Sequence, residues 1–502
     1  MTEVETQAER EGEAGRMEKL AQWFDSRLGL SHQFLRPVPE YAINPFYWLG
    51  ALAVVAFVIQ GVTGVMMMLY YVPTTAQAYS STQFIFQSVA YGSFLETVHL
   101  YTAYAMILLA FMHLMRGYFV SVHKKPRELM WVVGMLMGLV TLGFGFTGYL
   151  LPWTVVSKSA TDVGVGMIDA LPQPISSFIS FLIIGGGGAG AELLRFYDLH
   201  VVVLPAVLLV LLVVKMYLLE SHGVSEPVTA SPTQEGKRRL IPIFPDVSFY
   251  LLELAALFGS LMLFVAAAFP LTLAPQYTPQ LASQFTAQPE WYFLWIYQLL
   301  KISAFEEAGL PVAISVVSVI IALIFLLPFI DRGKTRMIGQ RPKYTTLGAI
   351  FAAEVIVLAY WGMVTPGRVI PNWQAALVLG GTAVAVALIS LVLHRLIFRR
   401  LVTSSADARK ALAAPSVRWA SAWTAGSFAF LMALGALSIG WLVNSVSQAL
   451  LGGSAEVLAT LVLSAAGLAV TLLGTLYLLY RLDLGTGMIK RRIKAFEVGW
   501  RE

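Results

Sequence analysis

Ten apolar runs divide the chain, near residues 46–71, 94–120, 129–150, 197–219, 247–270, 311–330, 345–364, 373–397, 417–443 and 455–480. Each is long enough to cross roughly 30 Å of hydrocarbon as a helix. The polar intervals between them alternate in charge. "HKKPRE", "GKRR", "DRGKTRMIGQRPK", "RRLVTSSADARK" and the tail "KRRIK" are rich in Lys and Arg, whereas the intervening loops hold only Lys158, Arg195, Lys301 and Arg368. The expectation is an all-α polytopic membrane protein of about ten transmembrane helices with both termini in the cytoplasm.

Composition supports that class. Of 502 residues, 57% are hydrophobic and 13% charged, and the mean hydropathy is +0.71, as expected for a polytopic helical membrane protein. The net charge of +5 is spread over short loops, so no nucleic-acid surface is implied. The first twenty residues are polar and lack an apolar h-region, so they do not read as a signal peptide. There is no cysteine, which excludes disulfides, thiolate metal sites, iron–sulfur ligation and thioether-bound haem from this chain.

The same pattern suggests an organisation. A cytoplasmic segment (1–45) precedes a four-helix bundle (46–220), and a Ser/Pro/charge-rich linker (221–246) follows it. Three helices (247–370), three additional ones (371–480) and a basic tail (481–502) complete the chain. "GGGGAG" at 185–190 follows no strand and lacks Lys-Ser/Thr, so it reads as a bend and not as a phosphate loop. The last three spans carry few polar residues, chiefly Asn372, His394 and Asn444, which suits packing or partner docking. The tail "MIKRRIKAFEVGW" reads as a topology signal or a segment lying on anionic lipid.

Candidate chemistry sits in the first four helices. His99 and His113 are fourteen residues apart, and so are Gly50 and Gly64, and Gly134 and Gly148; His200 and Lys215 are fifteen apart. Fourteen residues are about four helical turns, roughly 21 Å of rise, and return to nearly the same face. Alternating helix directions then place Gly64, His99, Gly148 and His200 at one outer depth, and Gly50, His113, Gly134 and Lys215 at one inner depth. Each depth has two Lewis-basic side chains and two glycines. A flat macrocycle requires that combination: axial nitrogens for its iron and bare backbone where it presses on a helix. One histidine or glycine alone would read as a packing residue; the joint register of eight favours a cofactor.

Several stretches then resemble a known family. "FVIQGVTG", "HLMRGYF…KKPRELMW", "GFTGYLLPW", "RFYDLH…LP", "HGVSEP" and "QPEWYFLWIYQLLK" are similar to the cytochrome b subunit of Rieske/cytochrome b (bc/bf-type) quinol-oxidising complexes. The resemblance covers roughly residues 40 to 365. It implies two haems b, the outer held by His99 and His200, the inner by His113 and the residue at position 215. It further implies an outer quinol pocket in which Glu290 accepts a proton and Tyr292 donates a hydrogen bond or shapes the wall. Arg116 and Arg195 match positions where basic side chains pair with haem propionates or serve as interfacial anchors. The implied partners are quinol, a Rieske iron–sulfur protein, a c-type cytochrome and a second copy of the chain, with electron transfer coupled to proton translocation.

Two features depart from the family pattern. Lys215 stands where a histidine ligand is expected. Three arrangements are open there: ligation by the neutral amine, an inner haem ligated otherwise, or no inner haem. His222 lies too near the helix end to substitute. After "LPW" the chain reads "TVVSKSATDVG" where the family often has aromatics, which changes one wall of the outer pocket. The rival functions are a modified haem b anchor of another respiratory assembly with one haem retuned or lost, an ion-coupled transporter using Lys215 and Glu290, and a structural scaffold whose haem sites have decayed.

Overall fold

In hydrocarbon, backbone N–H and C=O groups must pair within their own segment, so long apolar runs become helices. The computed structural model describes residues 38–39, 44–185, 189–223, 240–241, 243, 247–333 and 341–395. Seven described helices are long and apolar enough to cross a membrane, and Leu310–Phe325 is a shorter apolar helix, about 24 Å long. Together these eight correspond to the first eight apolar runs. The runs at 417–443 and 455–480 lie outside the described residues, as does the tail.

In chain order the helices are α1 (Leu49–Met68), α2 (Ala78–Ser88), α3 (Gly92–Phe119), α4 (Glu128–Leu150), α5 (Val155–Asp169), α6 (Ile175–Ile183) and α7 (Ala189–Asp198). One π turn (Leu199–Val203) joins α7 to α8 (Leu204–His222). Then follow α9 (Ser248–Ala268), α10 (Pro279–Ala282), α11 (Leu294–Leu300), α12 (Ser303–Ala308), α13 (Leu310–Phe325), α14 (Leu327–Ile330), α15 (Pro342–Val364) and α16 (Asn372–Leu393). The connections α2, α5 and α6 are helical too. Thr154 starts α5 with a capping box: its hydroxyl accepts from Ser157 N, and Ser157 returns a bond to the Thr154 backbone, satisfying two otherwise unpaired groups.

The chain falls into two compact units, residues 1–48 with 230–256, and residues 49–229 with 257–502. In the first, β1 (Val38–Pro39) pairs antiparallel with β2 (Leu240–Ile241). Nearby, Asn44 Oδ1 accepts from Phe46 N at 3.0 Å and caps the turn at Pro45–Tyr47.

In the second unit α1 packs along α3, α3 along α4, and α4 along α8, forming the four-helix bundle. Val58, Val62 and Val65 on the outward side of α1 are each 57% exposed, as apolar residues facing lipid can be. A second group packs α11 against α15 and α15 against α16. The two groups are tied at one end by a buried polar cluster. Asp331 accepts from His123 Nε2 at 2.9 Å and from Arg341, and pairs with Lys124 at 3.1 Å. Burial raises the Asp331 carboxyl, but the bonds from His123 and Lys124 and the Arg341 charge outweigh it and hold the group below its usual range. Burial pushes His123 down to about 4, so the ring is neutral near pH 7. Trp131 Nε1 donating to Ile324 O at 2.9 Å and Tyr118 OH donating to Tyr344 O at 2.6 Å complete the tie.

Among the described residues, Asp331 is the carboxylate placed against two buried cations, Lys124 and Arg341. Asp331→Asn is expected to destabilise the protein by about 3–5 kcal/mol, the usual cost of breaking a buried ion pair from one side. Thermal unfolding in detergent measures it, with Asp331→Glu as the charge-retaining control.

Candidate functional site

The four nitrogen-bearing side chains singled out by spacing each face a glycine across the bundle. A Cβ placed on Gly64 would lie 3.4 Å from His99 Cε1, and one on Gly148 only 2.5 Å from His200 Cε1. At the other level, a Cβ on Gly50 would lie 3.3 Å from His113 Cε1, and one on Gly134 2.9 Å from Lys215 Nζ. A side chain at position 148 would clash with the His200 ring, so Gly148 is required by close approach; at Gly134 the neighbour is the tip of a flexible lysine. All eight residues therefore meet as glycine–nitrogen pairs, two within each of the four-residue levels that the spacing implies.

The His99 and His200 rings lie edge to face, with centroids 6.2 Å apart and planes inclined by 61°. Two imidazoles on opposite faces of one metal, at nitrogen–metal distances of about 2 Å, have centroids roughly 6 Å apart. A π turn carries His200. Leu204 N donates to Leu199 O, five residues back, and Pro205, which has no N–H to give, follows directly. The extra residue sets the facing of His200 relative to the helix that follows, a common use of π turns at functional sites.

At the second level, Lys215 Nζ donates to Met130 O at 2.5 Å. Met130 is four residues before Gly134, and His200 likewise hydrogen-bonds the backbone of Phe144, four residues before Gly148. The amine thus has the backbone anchor in its half of the bundle that the imidazole has in the other. His113 Nδ1 is buried without a hydrogen-bond partner. His222 caps its own helix end, with Nδ1 3.0 Å from Leu218 O, while its carbonyl accepts from Arg127 at 3.0 Å. Arg116 lies one turn beyond His113 on α3. Arg195 is exposed on α7 and lies against Gly185, whose φ of +80° and bare α-carbon admit its side chain.

The second site surrounds Glu290. Its loop is anchored by Tyr297 OH donating to Ala287 O at 2.8 Å and by Gln288 Nε2 donating to Gly362 O at 3.1 Å. Glu290 Oε2 accepts from Tyr104 OH at 2.7 Å, and Tyr149 and the Trp291 backbone also bond the carboxylate. Burial pushes the Glu290 carboxyl up, and these hydrogen bonds offset part of the rise. The Tyr292 ring packs against Tyr104, Trp291 and Phe293. Its hydroxyl rests on Gly145, where a Cβ would be 2.7 Å away. Burial and the neighbouring Glu290 push that hydroxyl well above the usual phenol range, so it stays protonated.

The unusual "TVVSKSATDVG" wall places Lys158 beneath Trp153 and Tyr277, with Nζ 5.8 and 5.9 Å from their ring centroids. Asp162 and Glu192 neutralise it, Glu192 at 3.5 Å. Burial works against the Lys158 charge, but both carboxylates outweigh it and hold the amine above its usual range. Aromatic cover comes from Trp153 and Tyr277 on the flanking segments, not from α5.

Sequence reasoning missed Tyr104, Tyr149, and the threonines Thr63 and Thr147, whose hydroxyls lie 2.8 Å from His99 Nδ1 and 3.2 Å from His200 Nδ1. A signal for the threonines existed: each precedes its glycine in a Thr-Gly pair, at 63–64 and 147–148. The Tyr104–Glu290 bond joins residues 186 apart in sequence, and no local pattern marks it.

A family profile described as "Cytochrome b(N-terminal)/b6/petB" matches residues 104–281, and "Cytochrome b(C-terminal)/b6/petD" matches residues 278–379. A "Cytochrome bc complex cytochrome b subunit" from Chlorobaculum thiosulfatiphilum is 33% identical over 68% of this chain and 80% of its own length. The chain belongs to the cytochrome b family. A "Cytochrome b" from Sulfolobus acidocaldarius is 31% identical over 72% of this cytochrome b chain and 69% of its own. The "Cytochrome b6" of Heliobacterium modesticaldum is 40% identical over 38% of this chain and 90% of its own. A solved chain titled "Hyperthermophilic respiratory Complex III" shares the fold, with TM-score 0.60 and 24% identity over 74% of this chain and 97% of that one. Membership makes this cytochrome b an integral membrane protein of electron transport and implies haem b. The transporter and scaffold readings fall with it.

Proposed function

We propose that the chain is the haem b subunit of a bc-type quinol oxidoreductase complex, oxidising quinol at the outer face with both of its own termini cytoplasmic. His99 and His200 hold the outer haem, and His113 with Lys215 the inner one. Gly50, Gly64, Gly134 and Gly148 leave room for the macrocycles, and Arg116 and Arg195 pair with propionates. The observation that carries this reading is the histidine pair at 6.2 Å between glycine-bare helix surfaces. When bound, haem supplies one-electron carriage at two depths of the bilayer; the protein supplies the ligands, the orientation and the low-dielectric surroundings.

Oxidation of quinol to quinone releases two electrons and two protons. Glu290, held by Tyr104 and Tyr149 and raised by burial, is the acceptor for one proton at the pocket rim. Tyr292, protonated and seated on Gly145, donates a hydrogen bond to the substrate oxygen or walls the pocket. One electron leaves to a Rieske iron–sulfur protein and onward to a c-type cytochrome, and the other enters this chain toward an inner quinone site. Delivering protons outside while the electron crosses inward couples the reaction to a proton gradient. The assembly is a homodimer within a larger complex.

For Lys215, amine ligation is the reading supported here. An Nζ held on Met130 O beside Gly134 has the placement and anchor of the imidazole opposite it in the bundle, and hydrocarbon disfavours the ammonium form. Haem per polypeptide tests the whole proposal. Two b-type haems per chain, with two low-spin ferric signals in low-temperature EPR, are expected; a folded, colourless preparation would overturn it.

A further inference from the structure

The short helix α6 turns its polar edge inward. Ser176 Oγ donates to Asp169 O at 3.1 Å, and Ser180 Oγ donates to Asp169 Oδ1 at 2.8 Å, so both serines are bonded to the end of α5. Ile183 packs against the core of Ala78, Leu150, Trp153, Leu193 and Phe196. At about 100° per residue these three share one side of the helix, and Ile175, Phe178, Phe181 and Leu182 share the other. That second side is open: Phe178 and Phe181 are 66% and 69% exposed, and Ile175 and Leu182 each 52%.

Water would select the reverse orientation, with hydroxyls outward and phenyl rings against the core. The flanking chain favours the same non-aqueous medium, because residues 170–191 contain no Asp, Glu, Lys or Arg. A docking patch for another protein carries a polar, solvent-accessible rim, and this stretch supplies no charge to build one. The helix has 9 residues and rises only about 13 Å. It is too short to cross the roughly 30 Å of hydrocarbon, but long enough to lie along one leaflet.

We propose that α6 lies in the headgroup–acyl boundary of the bilayer, at the bundle end where α4 leads into α5, with Ile175, Phe178, Phe181 and Leu182 among the acyl chains. A helix held this way buries its apolar face about 5–10 Å into that boundary. Because its serines bond the last residue of α5, the lipid contact fixes the depth of α5. In the reading above, α5 is one wall of the pocket that a lipid-soluble quinol enters from this leaflet.

The chain has no cysteine, so an introduced thiol is its one labelling site. Phe178→Cys and Phe181→Cys are labelled with a nitroxide in the assembled complex, in phosphatidylcholine–phosphatidylglycerol vesicles. The unsubstituted complex treated alike gives the background from partner subunits. Power-saturation EPR compares collisions with oxygen, which partitions into acyl chains, and with a water-soluble nickel chelate. Both labels are expected to be oxygen-accessible and nickel-protected, matching a label at Val62→Cys on the exposed side of α1 and opposite to one at exposed Glu307→Cys on α12. Nickel access equal to that at Glu307→Cys overturns the proposal, since the face is then in water. Protection from both reagents overturns it as well, since the face is then under protein. Should either variant fail to assemble, Ile175→Cys and Leu182→Cys on the same face are read by the same criteria. None of these readouts depends on haem content or turnover, so a failure of the haem and quinol reading is a separate result.

Discussion

Lys215→Ala is expected to remove the inner haem's low-spin signal while leaving the outer one intact. The side chain spans from α8 to Met130 O on α4, and its amine is the only described nitrogen placed against Gly134. Alanine supplies neither a lone pair nor the anchor. Loss of even an outer-shell partner of a metal ligand costs about 10–100-fold in affinity, so loss of a ligand is expected to lower inner occupancy by more than about tenfold or to leave a high-spin, five-coordinate haem on His113. Haem content should fall toward half in the first case; in the second, the EPR spectrum should gain a high-spin signal. Lys215→His should restore low-spin ligation, since the imidazole opposite already makes the equivalent backbone bond from His200 to Phe144. Lys215→Ala protein with two unchanged low-spin haems would reject lysine as a ligand.

Glu290→Gln is expected to slow quinol oxidation by about 100-fold, the lower end of what a positioned acid–base group contributes, with both haem spectra unchanged. Glutamine can still accept from Tyr104 through its carbonyl oxygen, so loop geometry survives and the proton acceptor alone is lost. The pH profile supplies an independent readout. A carboxyl accepts a proton only when ionised, and burial raises the Glu290 value above the usual carboxylate range. Turnover should therefore decline as pH falls through that raised value, and the glutamine variant should lose this acid limb. Tyr104→Phe removes one of the hydrogen bonds that oppose the rise, so its acid limb should move to higher pH. Steady-state quinol oxidation across pH, with wild type and both variants, measures all three effects.

Much of the fold was legible because its signals are local. A run of twenty apolar residues needs no tertiary information to be read as a helix, and eight of ten such runs appear as helices among the described residues. The register of nitrogens and glycines was legible for a related reason: fourteen residues return a straight helix to the same face, so His99 and His113 had to share a side of α3. The helices α2, α5 and α6 were harder to read. They lie in the connections between spans and lack the long apolar run that marks a membrane helix; α5 is begun by the Thr154–Ser157 box.

By itself, the sequence determined the spans, the two levels of nitrogen and glycine, the absence of any thiolate ligand, and the anomaly at Lys215. Only the tertiary structure decided which nitrogen faces which glycine, how the π turn sets His200, that Tyr104 holds Glu290, and that Thr63 and Thr147 reach the imidazoles of His99 and His200. The division has a physical cause. Periodicity along a helix is written in neighbouring residues, whereas a hydrogen bond between helices depends on their mutual rotation and depth, which the packing of the whole bundle sets.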